Sequence, residues 1–394
     1  VGHDEYWSGP QRAAVAAARN RGMNLAFFSG NEVYWRVRWE ADASGTAHRT
    51  LVIYKETQHV EKLDPMPNEW TGTWRDGRPL NPLGPQPENE LTGTIFTVNA
   101  WRNDALQVPS RYSSLRFWRN TSIASLRRGE TAVLVQGLLG HEWDEDVDNG
   151  HRPPGLMHLS ETTIDDVQYM IDEGSTYDSG TATHHLTLYR HASGALVFGG
   201  GTCQWSWGLD GHHDNVGGLD AQLGKNLYSL RVGVDPMRPD GERDIQQATT
   251  NLFADMGVLP STPQPELQLS PPSEDASAPM VGPTAVRRRL GSGGEGPTGG
   301  GEGLVGTTHP EGEGYLLEGD SADEGGGVVA AVELSFDGGS SWSPAAVHPE
   351  TGKWQAPDRD PLSGMGREGV RRVLARAADD SGNLSPAYPV SLSP

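Results

Sequence analysis

The first thirty-odd residues constrain the fold more than any other stretch. They pass from a short apolar step, Val1-Gly2, into the polar and aromatic cluster His3-Asp4-Glu5-Tyr6-Trp7. An Ala-rich segment follows, Gly9 to Arg21, with Pro10 suited to the first helical turn and Ser8 placed as its N-cap. Gly22 is placed to stop that helix. Next comes the apolar run Met23 to Phe28, which ends at Ser29-Gly30-Asn31. Strand end, helix, strand and glycine-containing turn make a βαβ unit, which predicts an α/β fold with a parallel sheet. Ligands of such sheets bind beyond the carboxyl ends of the strands, so the HDEYW and SGNEVYW clusters are expected to share one crevice. Val1-Gly2 reads as the end of a buried strand. The chain is therefore expected to be the C-terminal part of a longer protein, with part of its first sheet supplied from upstream.

Beyond about Thr50 the pattern turns to short β segments separated by Gly, Pro, Asn and Asp, such as Thr50–Tyr54, Thr94–Val98, Thr131–Val135 and Ala195–Phe198. A last amphipathic helix is expected over about Arg243 to Met256, where Ile245, Thr249, Leu252 and Met256 recur near helical spacing. Residues 259–310 read as a Pro/Gly/Ser-rich linker that includes GSGGEGPTGGGEG. Residues 311–394 return to β alternation with Asp-Gly and Ser-Gly-Asn turns, which predicts a small antiparallel sandwich. Three units follow: a mixed domain over 1–258, the linker, and an all-β module over 311–394.

Charge and hydropathy exclude some functions. The formal net charge is −21, which argues against nucleic acid and anionic membranes as partners. No apolar run approaches the roughly 20 residues a membrane-spanning helix needs. Cys203 is the only cysteine, so no intrachain disulfide forms. With no basic residue beside it in sequence, its thiol is expected to be inert.

Five clusters could carry chemistry. In HDEYW, strand alternation would put His3, Glu5 and Trp7 on one side and Asp4 and Tyr6 on the other; the plainer reading is an N-cap network with a half-buried aromatic pair. In SGNEVYW, Ser29 lacks the GxSxG elbow of a nucleophile, and Gly30 instead allows close backbone approach to a ligand. Glu69-Trp70-Thr71-Gly72-Thr73-Trp74 fits either a ligating carboxylate in an apolar wall or a hairpin with packed tryptophans. In Gly140 to His151, Asp144, Asp146 and Asp148 alternate as in a calcium loop, but the glycine and the closing glutamate of that loop are misplaced. Glu142, nearest the strand end, is the better general base. The run Gly199-Gly200-Gly201 followed by Trp205 and Trp207 reads as a pocket wall, and His212-His213-Asp214 as a metal site or a solvated turn.

In this order, GHDEYWS, LAFFSGNEVYW, EWTGTWRD, GLLGHEWDED and ALVFGGGTCQWSWGL resemble the C-terminal domain of the N,N-dimethylformamidase large (beta) subunit family over residues 1–258. The module over 311–394 resembles bacterial immunoglobulin-like domains through VELSFDGGSSW and ARAADDSGN. The first resemblance implies a glutamine-amidotransferase-like parallel sheet core with added antiparallel segments. It also implies an Fe(3+) ion held by two tyrosinates and a glutamate, an oxygen-rich set suited to a hard cation. Carried over, the ligands are Tyr6 and Glu69, with Glu88 as fallback and a further tyrosine upstream of this chain. Glu142 becomes the base for the attacking water with His3 beside it, and Asn31, Tyr34, Trp35, Trp205 and Trp207 line the substrate pocket. The implied activity is hydrolysis of a small linear amide, with an oligomer or partner subunit expected. The alternative is a non-catalytic carbohydrate- or surface-binding module on the same fold, its crevice lined by tryptophan. The appended module favours an extracellular or cell-surface location and leaves the cytoplasm open.

Overall fold

The computed structural model describes residues 1–100, 102–213, 233–234, 242–289, 314–356 and 373–390. The opening βαβ pattern is present locally. The helix Gly9–Asn20 begins where the Ser8 hydroxyl accepts the Gln11 N–H at 3.4 Å, and carries Pro10 in its first turn. It packs Val15 and Ala16 against Trp7 and Phe27. Gly2–His3 pairs parallel with Ser29–Gly30, Tyr6–Ser8 with the start of Trp35–Glu40, and Leu25–Phe27 with Leu196–Gly199.

These parallel contacts do not grow into a sheet core, and the expected parallel-sheet α/β fold is corrected here. The molecule is mostly β, built from several small antiparallel sheets. The physical reason is connectivity. Each parallel neighbour needs a crossover, usually a helix of a dozen or more residues. The chain supplies one such helix at 9–20, and among the described residues the next long one is Arg243–Asp255. Between them the turns make hairpins and short connections. Leu196–Gly199 illustrates the result: Leu25–Phe27 lies parallel on one side, and the antiparallel strand Thr187–Arg190 on the other.

The sheet that matters most for the site runs Glu142–Glu145, Ile95–Asn99, Thr162–Met170, Tyr177–His184, all antiparallel. Its register shifts between Trp143 and Asp144, a bulge that adds a residue to the facing strand at Thr97. Its own apolar residues, Val98, Trp143, Ile164, Val167 and Ala182, pack together, and a separate larger core of Phe28, Phe117, Trp118, Phe198, Trp205 and Leu252 is covered by the helix Arg243–Asp255.

The C-terminal part is two antiparallel sheets around Leu317, Val332, Leu334, Trp354, Val373 and Ala375. Met280–Arg289, inside the stretch that composition marks as a linker, is a strand paired with Gly314–Ala322. Its register shifts between Val281 and Thr284, where Pro283 has no N–H to give the ladder. The glycine run 291–303 lies outside the described residues. These sheets dock on the first region. Ala330, Ala331 and Ala378 join the large core, Arg152 reaches Glu333 at 2.9 Å, and Asp380 accepts the Arg116 backbone N–H at 2.6 Å. Among the described residues, no helix is long and apolar enough to cross a membrane.

Candidate functional site

The opening cluster meets the strand Glu142–Glu145 at a strained turn. Asn31 and Val33 both take left-handed backbone angles, φ 51° and 56°. For a β-branched residue this is costly and persists only where the surroundings enforce it. Here the Asp4 backbone carbonyl accepts from Val33 N–H at 3.0 Å, and the Glu5 backbone carbonyl accepts from the Tyr34 and Trp35 N–H groups at 3.0 and 2.8 Å. The Asp144 carboxylate holds the Asn31 N–H at 2.8 Å. Gly30 beside them permits the approach of the Gly201–Cys203 backbone, since a Cβ there would lie 2.8 Å from Thr202 and Cys203 atoms.

On this frame His3 Nε2 lies 2.7 Å from Glu142 Oε2. The Asn31 side-chain amide lies 3.2 Å from the same oxygen and 3.0 Å from His3 Nε2. Glu5 stands 3.8 Å from His3 Nε2. The His3 side chain is 37% exposed and that of Glu142 15%, so the imidazole is open and its carboxylate is shielded. Burial works against charge on the ring, but the hydrogen bond and charge of Glu142, helped by Glu5, outweigh it and raise the His3 pKa. Burial likewise opposes charge on Glu142, and the His3 hydrogen bond and charge with the Asn31 amide overcome it, so its pKa is lowered. Glu5 has no such compensation: burial raises its pKa against the opposing charge of His3.

Behind this pair lies a second one. Glu32 and Asp144 are both buried, and the Thr94 hydroxyl reaches Glu32 at 3.3 Å and Asp144 at 3.1 Å. No lysine or arginine among the described residues is ion-paired with either. Burial raises the Glu32 pKa well above its ordinary value, and the neighbouring Asp144 adds to the shift. Burial pushes Asp144 up to about 6 although the Asn31 N–H and Thr94 hydrogen bonds work the other way. Two carboxyls in one dry site share a proton. Glu32 carries it and Asp144 is the carboxylate that anchors the Asn31 turn.

The structure brings His3, Asn31 and Glu142 together. Tyr6 stays beside them, hydrogen-bonded to Glu5 and within reach of the charge of Glu142, while the expected pocket aromatics turn into the core. Tyr34 and Trp35 are buried beneath Tyr6 with Phe96, Trp205 lies in the large core, and Trp207 packs over Gly137, whose φ of 95° suits glycine alone. Trp7, Trp70, Trp74 and Trp143 are buried as well, so none of these rings offers a sugar-stacking face. Asp144 pairs with Glu32, Asp146 with Arg152 and His158, and Asp148 with Ser343, which dissolves the calcium-loop reading. The backbone of His212–His213 pairs with Gly233–Val234, and Asp214 lies outside the described residues. The Cys203 thiol is pushed up to about 12 by burial, although His141 Nδ1 stands 3.7 Å away, so it is no nucleophile.

The donors expected for ferric iron take different partners. Lys55 Nζ sits over the rings of both Tyr6 and Trp35, at 5.9 and 4.9 Å, which puts these rings on one face. Arg36 alternates to the other face and carries Glu69 at 4.0 Å. Glu88 is buried in an ion pair with Arg75 at 2.6 Å. The Tyr6 phenol is pushed up to about 12, by burial first and by Glu5 next.

Glu32 and Thr94 were missed as site residues by sequence reasoning, whereas Glu5 lies beside His3 as strand alternation suggested. Glu32 directly follows the SGN turn, and a carboxylate at a strand end was the one available signal. Compared with known proteins, residues 1–216 match the family described as N,N-dimethylformamidase beta subunit-like, C-terminal. No curated protein matches the chain. The matched segment contains His3, Asn31, Glu32, Glu142 and Asp144, and it spans more than half of the 394 residues. On that match, the chain belongs to the N,N-dimethylformamidase beta subunit-like C-terminal family.

Proposed function

We propose that the protein is a hydrolase of small, non-peptide amides in which His3 is the general base. The observation that carries this reading is the 2.7 Å contact between the shielded Glu142 carboxylate and the open His3 ring. With Nε2–H given to Glu142, the lone pair of Nδ1 is left to take a proton from water. Glu142 fixes the tautomer and stabilises the imidazolium that forms, and the Asn31 amide keeps that carboxylate in place. Hydroxide adds to the amide carbonyl. The imidazolium then returns its proton to the departing nitrogen, the C–N bond breaks, and a carboxylic acid and an amine leave. The family description points to formamides as the first substrates to try. No step is assigned to iron, because Glu69 and Glu88 are each engaged by an arginine, Arg36 and Arg75.

The test is release of amine and acid from a series of N-alkyl formamides and acetamides by the full chain. Turnover by the wild type that falls in both His3→Ala and Glu142→Gln supports the reading. No turnover across the series, or full turnover in both variants, overturns it.

A further inference from the structure

Far from His3, the seam between the first region and the C-terminal sheets encloses a cleft of about 790 Å³. That is the size of a small-molecule site, in the inter-unit position such sites favour. Its charge is unusual for a chain of net −21. Four arginines line it. Arg152 and Arg376 are neutralised by Glu333, at 2.9 and 2.7 Å. Arg19 and Arg190 have no such partner among the described residues.

Arg19 gives its hydrogen bonds to the Glu90 carbonyl at 2.8 Å, the Tyr189 hydroxyl at 3.1 Å and the Asn20 amide oxygen at 3.2 Å. Arg190 gives its own to the Ser381 carbonyl, at 3.2 and 2.6 Å, and to the Gly194 carbonyl at 2.9 Å. Every acceptor is neutral. Among the described residues no carboxylate comes within ion-pair distance of either guanidinium. Burial lowers the Arg190 pKa, and the more distant Asp379 and Asp255 do not restore it. His191, in the same cleft, is also lowered, by burial and then by the charge of Arg19. A half-buried cation with only neutral partners gains when an oxyanion arrives, and the guanidinium fork suits carboxylate and phosphate alike. The rest of the wall holds the Glu90 carboxylate, which Arg12 meets at 3.6 Å, the buried ring of Tyr189, His151, Asn383, and an apolar part made by Pro153, Pro154, Ala192 and Leu384.

We infer that this cleft binds a small aliphatic anion whose carboxylate or phosphate group sits between Arg19 and Arg190. The site is independent of the His3 chemistry and stands or falls without it.

The test is calorimetric titration of the full chain with citrate, inorganic phosphate and neutral glycerol at constant ionic strength. Saturable binding of citrate or phosphate is expected, weakened at least tenfold by Arg19→Gln, with none for glycerol. Citrate alone would assign the site to carboxylates, phosphate alone to phosphates, and both to oxyanions in general. Arg190→Gln should weaken binding too, but it also frees Ser381, so Arg19→Gln is the decisive variant. The His191 ring, followed by NMR, should titrate at higher pH once the anion is bound. No saturable binding of either anion, or binding unchanged in Arg19→Gln, would overturn the inference.

Discussion

Two carboxylates on the strand Glu142–Glu145 lie two residues apart and meet opposite fates. Glu142, partly shielded, is held charged by His3 and Asn31. Asp144, fully enclosed, meets another acid, and the pair keeps a proton. Depth alone does not set the charge state, because burial opposes charge on both carboxyls. The partner decides it. A cation-capable ring in front makes a reactive pair, and a carboxyl behind makes a rigid anchor.

The sharpest way to break this contrast is at the front. His3→Ala and Glu142→Gln are each expected to lower amide hydrolysis by about 10²–10⁴-fold, the usual worth of a positioned acid–base group, with little loss of stability. A comparable loss of stability and activity in both variants would make the front pair as structural as the rear one.

Asp144→Ala attacks the rear anchor. It strips the Asn31 N–H of its acceptor and leaves Glu32 alone, so urea denaturation should show about 3 kcal/mol of destabilisation. An unchanged midpoint would mean that the turn stands without it.

Glu32→Gln sharpens the contrast through pH. Its folded pKa is raised above the ordinary 4.5, so its contribution is full below pH 4.5 and is lost as pH rises towards the folded value. A glutamine does not titrate. Wild-type stability relative to the variant should fall by up to about 1.4 kcal/mol per pH unit above 4.5. Parallel stability curves would show that Glu32 is ionised in the fold.

The smallest effect belongs to the His3–Glu142 ion pair itself. The raised His3 pKa makes its contribution full below 6.5 and lost as pH rises through the folded value. The lowered Glu142 pKa makes its contribution full above 4.5 and lost as pH falls through the folded value. The stability difference between wild type and His3→Gln should therefore peak between pH 4.5 and 6.5, at no more than about 1 kcal/mol for so exposed a pair. A difference that keeps growing above pH 7 would contradict the assigned partner.

The front of the site was legible in the sequence because polar residues closing apolar strands stand out locally. His3, Asn31 and Glu142 each do so. The rear was not, since nothing near Glu32 announces an aspartate more than a hundred residues away. The partners of Glu69 and Glu88 were hidden for a related reason. A motif names the carboxylate but not the arginine that takes it, and Arg36 and Arg75 are placed by strand alternation and burial. The βαβ pattern holds over thirty residues and does not extend further, because sheet type depends on later crossovers that the hairpin-rich middle of the chain does not make.

The three alanines at the seam carry a consequence for cooperativity. Ala330, Ala331 and Ala378 belong to the same apolar cluster as Phe198 and Trp205, while the family match ends at residue 216. The boundary inherited from the family is therefore not the boundary of the folding unit. Cutting the chain at 258 would open the large core to water and leave Arg152 with one carboxylate instead of two. The appended sheets therefore complete the apolar core of the family portion.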